Sequence, residues 1–69
     1  MKDIKELKEA IANKTPLVWN DPDPIPGNDY TIIFIEEIDE EEFDRYTPIL
    51  IQYGGGSEAQ VYLSEIIYK

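Results

Sequence analysis

The sequence predicts one mainly β domain, a small antiparallel barrel of four to five strands with a single N-terminal α-helix. Three observations support this prediction. Residues 49 to 63 contain two runs of alternating apolar residues on either side of three consecutive glycines, the pattern of a β-hairpin. Residues 3 to 12 carry the apolar spacing of an amphipathic helix. A chain of 69 residues has room for one core only, so we assign residues 1 to 69 to one domain and residues 17 to 68 to the barrel.

The helix over residues 3 to 12 is predicted from its first turn and its apolar spacing. Asp3 and Glu6 have the spacing of a capping box, with Asp in place of the usual Ser or Thr. Apolar residues recur at i, i+3 and i+7, namely Ile4, Leu7 and Ile11. We expect this stripe to pack on the sheet, with docking into a partner's groove as the alternative. Asn13 tolerates a left-handed helix end and Pro16 disfavours helix in the residue before it, so the helix should stop there.

The next elements are two strands separated by a loop. Residues 17 to 19 read as a short first strand, and residues 20 to 28 contain three prolines and a glycine, which favour a stiff loop. Residues 29 to 38 give the longest β signal, with apolar side chains on both parities in the middle. A strand that is apolar on both sides is usually covered on both. We therefore expect one face to line the sheet interior and the other to meet the helix.

The last third of the chain contains an acidic connection and the hairpin. Residues 39 to 46 are predicted to form a polar, acidic connector, and the self-repulsion of the carboxylates in residues 36 to 42 favours a solvated turn. In the hairpin, one face of each strand should be buried: Ile49, Ile51 and Tyr53 in the first, and Ala59, Val61 and Leu63 in the second. All three glycines of residues 54 to 56 are expected to supply positive φ values. Tyr62 has the outward parity, and the chain should break near residues 64 and 65 before a final strand or helical turn.

Composition excludes several classes of function. Fifteen acidic residues against six basic ones give a net charge of −9, and only two of the basic residues lie after residue 14. Such a surface repels phosphate backbones, so we expect no direct binding to nucleic acid. The chain has no histidine and no cysteine, which excludes imidazole and thiolate chemistry for catalysis or metal binding. We expect no enzymatic activity and no cofactor.

The location of the protein is also predicted from composition. No apolar run approaches the roughly 20 residues that span a bilayer, and the charged N-terminus lacks the apolar stretch of a secretory signal. The absence of cysteine fits a reducing compartment. We expect a cytoplasmic protein with no membrane partner.

The order of elements over residues 17 to 67 resembles the Tudor-like branch of the small SH3-like barrels. In that family a third strand ending in Tyr-Gly leads through a tight turn into a Glu-x-Val-x-Leu-like fourth strand and a short acidic and apolar tail. The corresponding positions here are Tyr53-Gly54, Glu58, Val61, Leu63 and Glu65-Ile66. The helix at residues 3 to 12 is an addition to the family pattern, and the turn has one glycine more than a minimal version needs.

The resemblance implies a binding role for aromatic residues. Tudor-like domains commonly hold methylated lysine or arginine in an aromatic cage, and the matching positions are Trp19, Tyr30 and Tyr53. The alternative is that Trp19 and Tyr53 belong to the barrel core with their polar tips in water. Asp21 and Asp23, in the proline-rich loop, are further candidates for ligand contact. With Asp29 they offer oxygen ligands, but the spacing of a calcium loop is absent, so we expect no metal site.

Three functions remain open from the sequence. The first is a protein-interaction module or adaptor that binds a partner with a basic surface through the aromatics and the acidic body. The second is an acidic mimic of nucleic acid that inhibits a DNA-binding protein, which would require carboxylates spaced like phosphates along one face. The third is a structural subunit that pairs with its own copy. We expect the chain to be a monomer or a weak homodimer.

Overall fold

The computed structural model describes all 69 residues, which form one helix and five strands in two antiparallel sheets. The elements in chain order are helix α1 (Ile4–Ala12) and strands β1 (Leu17–Trp19), β2 (Ile32–Ile35), β3 (Ile49–Tyr53), β4 (Ser57–Val61) and β5 (Ile66–Tyr68). A 3-10 turn, Leu63–Glu65, separates β4 from β5. The prediction of a mainly β domain with one N-terminal helix is confirmed, as is the break in the chain before the final strand.

The two sheets pack around one core, are joined by strand pairing at only one place and do not form a closed barrel. One sheet has the order β2-β3-β4, and the other pairs β1 with β5. An isolated bridge between Val18 and Thr31 connects them, and the backbone N–H of Trp19 donates to the carbonyl oxygen of Tyr30 at 3.0 Å. The bridge places the end of β1 beside the start of β2, and this contact positions the aromatic residues described below.

The β3–β4 hairpin has the predicted register. Ile51 pairs with Ala59 and Tyr53 pairs with Ser57, which leaves the three glycines as the loop. Only Gly54 and Gly56 have positive φ values, 57° and 113°. The expectation of positive φ at all three positions is wrong because two left-handed residues suffice to reverse the chain here.

Helix α1 begins as predicted, and two of the three residues of its predicted stripe pack on the core. The Asp3 side chain accepts a hydrogen bond from the Glu6 backbone N–H at 2.8 Å, which satisfies one free donor of the first turn. Leu7 and Ala10 are buried, whereas Ile11 is 43% exposed, so the prediction that Ile11 packs on the sheet is wrong. Ile11 lies 100° around the helix from Ala10, beyond the edge of the contact with the core.

The end of the helix also differs from expectation in one residue. Asn13 keeps a helical conformation, with φ of −87°, and Lys14 takes the left-handed conformation, with φ of 56°. The backbone N–H of Thr15 then donates to the carbonyl oxygen of Ala10 at 2.9 Å, closing the last turn. The helix therefore ends at Ala12, as predicted, and only the left-handed position differs, at Lys14 instead of Asn13.

Strand β2 is shorter than predicted and contains an irregularity. Its register with β3 shifts between Ile32 and Phe34, as in a β-bulge that adds Ile33 to one strand. Ile32 and Ile35 both lie opposite core-facing residues of β3, and Phe34 lies opposite Gln52. Because an extra residue reverses the parity of a strand, Ile33 and Phe34 both face outward, 57% and 53% exposed. The prediction that both faces of this strand are covered is wrong.

The core is built from the helix and from every strand except β2. Its eight buried residues are Leu7, Ala10, Leu17, Ile49, Ile51, Val61, Leu63 and Ile66. No polar or charged residue is buried, so all ionisable groups lie at least partly in water. None of the helices has the length and apolar character needed to cross a membrane.

Candidate functional site

The three aromatic residues singled out in the sequence lie together where the two sheets meet. Trp19 ends β1, Tyr30 precedes the bridge at Thr31, and Tyr53 ends β3. The ring centroids are 5.6 Å apart for Trp19 and Tyr30, 5.1 Å for Trp19 and Tyr53, and 5.4 Å for the two tyrosines. We refer to these three residues as the aromatic cluster. Residues far apart in the chain thus form one contact group.

The rings of the aromatic cluster pack against one another and leave no gap for a ligand between them. Tyr30 and Tyr53 are stacked, with 18° between their planes, and Trp19 meets both rings edge-on. A methylammonium group held between two facing rings would need the planes about 7 Å apart, twice the usual carbon contact distance. None of the five surface cavities is lined by these residues. A cation can therefore contact only the outer ring faces unless the rings separate.

The polar atoms of the aromatic cluster differ in their hydrogen bonding. The Tyr30 hydroxyl accepts a hydrogen bond from the Ile25 backbone N–H at 2.8 Å, which ties the proline-rich loop to the cluster. The Trp19 indole Nε1 is buried and has no hydrogen-bond partner. The expectation that the Trp19 tip reaches water is thus wrong. An unpaired buried donor costs about 1 to 3 kcal/mol, which the surrounding ring contacts must offset.

The aspartates of the proline-rich loop form local turns. The Asp21 carboxylate accepts from the Asp23 backbone N–H at 2.9 Å, and the Asp29 carboxylate accepts from the Thr31 backbone N–H at the same distance. The hydrogen bonds from Thr31, backbone first, lower the pKa of Asp29 below its usual value. No group of three or more acidic, histidine or cysteine side chains is arranged to hold a metal ion. A role for Asp21 and Asp23 in ligand contact stays a prediction.

A surface groove runs between helix α1 and strand β2, and sequence reasoning did not identify it. It consists of two cavities of about 410 and 590 Å³ that share Ile11, Phe34 and Ile35 as lining residues. We call it the α1–β2 groove. Its apolar walls exist because the bulge turns Ile33 and Phe34 outward and because Ile11 lies off the core. The run of four apolar residues at positions 32 to 35 is the only signal of this groove in the sequence, and such a run predicts a buried strand.

One end of the α1–β2 groove is acidic. Its second cavity continues, through Lys8, Glu37 and Ile38, into a third one of about 620 Å³. The carboxylates along these two cavities are Glu36, Glu37, Asp39, Glu40 and Glu41, which we call the acidic lip. Lys8 lies 3.9 Å from Glu40, and this is the only ion pair in the molecule. The lip therefore carries a negative charge that is largely uncompensated.

The molecule thus presents a closed aromatic cluster at one junction and an apolar groove with an acidic end at another. Comparison of the chain with protein-family models, with curated proteins and with solved structures returned no match. The function proposed next rests on the residues and geometry of this chain.

Proposed function

We propose that this chain is a non-enzymatic protein-interaction module that binds a cationic segment of another protein. The observation that carries the proposal is the lack of internal charge compensation. Fifteen acidic residues are present, and a single ion pair, between Lys8 and Glu40, is formed. No charged side chain is buried, so this charge acts at the surface.

Uncompensated surface charge favours association with an oppositely charged partner. A field of one sign raises the local concentration of cations and steers their approach, and it suppresses encounters with acidic proteins. Individual surface ion pairs contribute little affinity, about 0 to 1 kcal/mol each. Specific binding therefore needs an apolar contact as well. The exposed side chain of Phe34 supplies one beside the acidic lip, and Ile33 extends it in the adjoining cavity.

Within this proposal we assign the fold to the SH3-like barrels of the Tudor-like branch. The bridge between Val18 and Thr31 supports this assignment. If the bridge is counted as strand pairing, the two sheets become one with the order β5-β1-β2-β3-β4. The last strand then returns beside the first, as in an antiparallel sheet that curls toward closure. In such a module the outer ring faces of the aromatic cluster provide a secondary contact for a cation, worth about 0.5 to 1 kcal/mol at an exposed site.

The proposal is tested by measuring binding of fluorescently labelled peptides by anisotropy. Three peptides of equal length and equal apolar content are compared, one rich in Lys and Arg, one neutral and one acidic. We expect binding of the basic peptide only, and we expect it to weaken between about 0.1 M and 1 M salt, where the Debye length falls from about 10 Å to 3 Å. The proposal would be overturned if the basic peptide did not bind or if its affinity did not change with salt.

Two further measurements separate the proposal from the other functions considered. A nucleic-acid mimic would bind DNA-binding proteins and be displaced by DNA, while leaving isolated basic peptides unbound. A homo-oligomeric subunit would sediment as a dimer in a concentration-dependent manner without any partner.

A further inference from the structure

We infer that the α1–β2 groove binds an extended peptide segment of the partner by strand addition to β2, and that this segment has Lys or Arg residues followed by alternating apolar residues. The inference rests on the proposed function and names its site, its binding mode and the chemistry of the ligand.

Strand β2 has a free edge that can pair with an added strand. The strand pairs along its length only with β3. On its other side the bridge to β1 lies at Thr31, before the strand begins, so the edge of residues 32 to 35 is free. Beyond Thr31 the chain of β1 leaves this edge toward helix α1, and the groove opens between them. Unpaired backbone groups on a sheet edge are a template for an added strand, which gains main-chain hydrogen bonds along its length.

Exposed apolar side chains line the groove along this edge. Ile33 and Phe34 on the strand and Ile11 on the helix are all exposed and line the two cavities of the groove. Alternate side chains of an added strand point to the same side at a spacing of about 7 Å, twice the rise per residue. Such side chains can enter the groove in succession, which would bury apolar surface that is now in water.

The groove is negatively charged at the end where β2 leads into the acidic lip. The acidic lip directly follows β2 in the chain, so a strand that extends past Ile35 reaches the carboxylates of Glu36 and Glu37. Every sheet in the molecule is antiparallel, and antiparallel pairing is slightly the more stable arrangement. An antiparallel segment passes the acidic lip first and the apolar part of the groove afterwards. Its basic residues therefore precede its apolar residues.

The same observations disfavour a second copy of this chain as the occupant. Two copies would each bring a net charge of −9 to the contact, with an acidic lip on each side. The bulge at Ile33 also breaks the flat edge that two identical strands need for pairing, a device that protects edges from self-association. A flexible basic segment can follow the twist of a bulged edge and compensates the charge.

The experiment uses a synthetic peptide with three Lys or Arg residues followed by four residues that alternate Ile and Thr. Binding to the full chain is followed by amide chemical shifts and by anisotropy. We expect shifts in residues 8 to 12 and 32 to 38, and slower hydrogen exchange at amides of β2. Phe34→Ala should weaken binding at least tenfold, whereas Ile25→Ala, at a 66% exposed position outside the groove, should leave it unchanged. Circular dichroism confirms that both variants are folded.

The outcomes distinguish the inference from the proposed function. If the basic peptide binds but the shifts lie at Trp19, Tyr30 and Tyr53 and Phe34→Ala has no effect, the groove is overturned and the proposed function stands. If the neutral apolar peptide binds in the groove as tightly as the basic one, the charge requirement is overturned and with it the proposed function. A dimer that sediments as such and is lost in Phe34→Ala would show that a second copy occupies the groove, contrary to the inference.

Discussion

The hydroxyl of Tyr68 in β5 donates a hydrogen bond to Oε2 of Glu6 in α1 at 2.9 Å, joining residues 62 positions apart. The other oxygen of the same carboxylate accepts from the Lys2 backbone N–H at 2.8 Å. The N-terminal amine donates to the carbonyl oxygen of Ile66, at the start of the same strand. The beginning and the end of the chain are thus held together by one carboxylate and one amine.

Tyr68→Phe should raise the pKa of Glu6 toward its usual value. The hydrogen bond from Lys2 is the larger cause of the lowered pKa of Glu6, and that from Tyr68 is the second, so a part of the shift remains in the variant. Titration of the Glu6 carboxyl carbon by NMR measures the change. Tyr46→Phe, at an exposed tyrosine whose hydroxyl accepts from Arg45, is the control and should leave Glu6 unaffected. An unchanged Glu6 titration in Tyr68→Phe would contradict the prediction.

The same hydrogen bond affects stability as a function of pH. Because the pKa of Glu6 is lower in the folded protein, its contribution is present above the pKa of unfolded glutamate and is lost as pH falls through the folded value. The pKa of Tyr68 is raised by the hydrogen bond to Glu6, so that contribution is present below the pKa of unfolded tyrosine and is lost as pH rises. Denaturant unfolding of Tyr68→Phe should therefore differ from wild type most at neutral pH.

Gly54→Ala should destabilise the protein much more than Gly55→Ala. A Cβ at Gly54 would lie 2.6 Å from the carbonyl oxygen of Asp29, a backbone atom, and φ at this position is 57°. The left-handed conformation alone costs a non-glycine residue about 1 to 2 kcal/mol, and the clash adds to it. A Cβ at Gly55 meets nothing within 4 Å and requires no positive φ. Chemical denaturation compares the two variants. Equal losses in the free energy of unfolding would show that the Asp29 backbone does not lie against the turn in solution.

Asp3→Ala should reduce the free energy of unfolding by about 0.5 to 2 kcal/mol, because the hydrogen bond to the Glu6 backbone N–H is lost from the first turn of α1. Asp3→Asn keeps a side-chain oxygen in the same place and should cost far less. Thermal unfolding followed by circular dichroism tests the pair. A loss of the same size in both variants would assign the effect of Asp3 to its charge instead of its capping bond.

Ile66→Ala and Ile67→Ala form a matched pair of neighbours in β5. Ile66 is fully buried in the core, and its truncation should cost about 2 to 5 kcal/mol. Ile67 is 40% exposed, and its truncation should cost about 1 kcal/mol or less. Because domains of this size are marginally stable, Ile66→Ala should be partly unfolded at 25 °C. If Ile67→Ala lost more stability than Ile66→Ala, the opposite face of β5 would have to face the core.

The elements that could be predicted from the sequence are those determined by nearest neighbours. The start of α1 follows from the spacing of Asp3 and Glu6, and the β3–β4 hairpin follows from alternation around a glycine turn. The faces of β2 could not be predicted, because the extra residue at Ile33 shows only in the pairing with β3. The α1–β2 groove was missed for the same reason, since it depends on which way Ile33 and Phe34 point.

The geometry of the aromatic cluster could not be predicted from the sequence. Trp19, Tyr30 and Tyr53 are in contact, and the space between their rings depends on how β1 meets the sheet at Thr31. A ring separation of a few ångströms decides between an open cage and a closed cluster. No local pattern in the chain specifies such a distance.

The amino-acid sequence by itself determined the type and order of the elements and the strong negative charge, because capping, alternation, glycine turns and side-chain ionisation are short-range properties. Only the tertiary structure decided that Ile33 and Phe34 are exposed beside an acidic lip and that the aromatic rings touch. These features depend on strand register and on the docking of one sheet against another, which are interactions between residues distant in the chain.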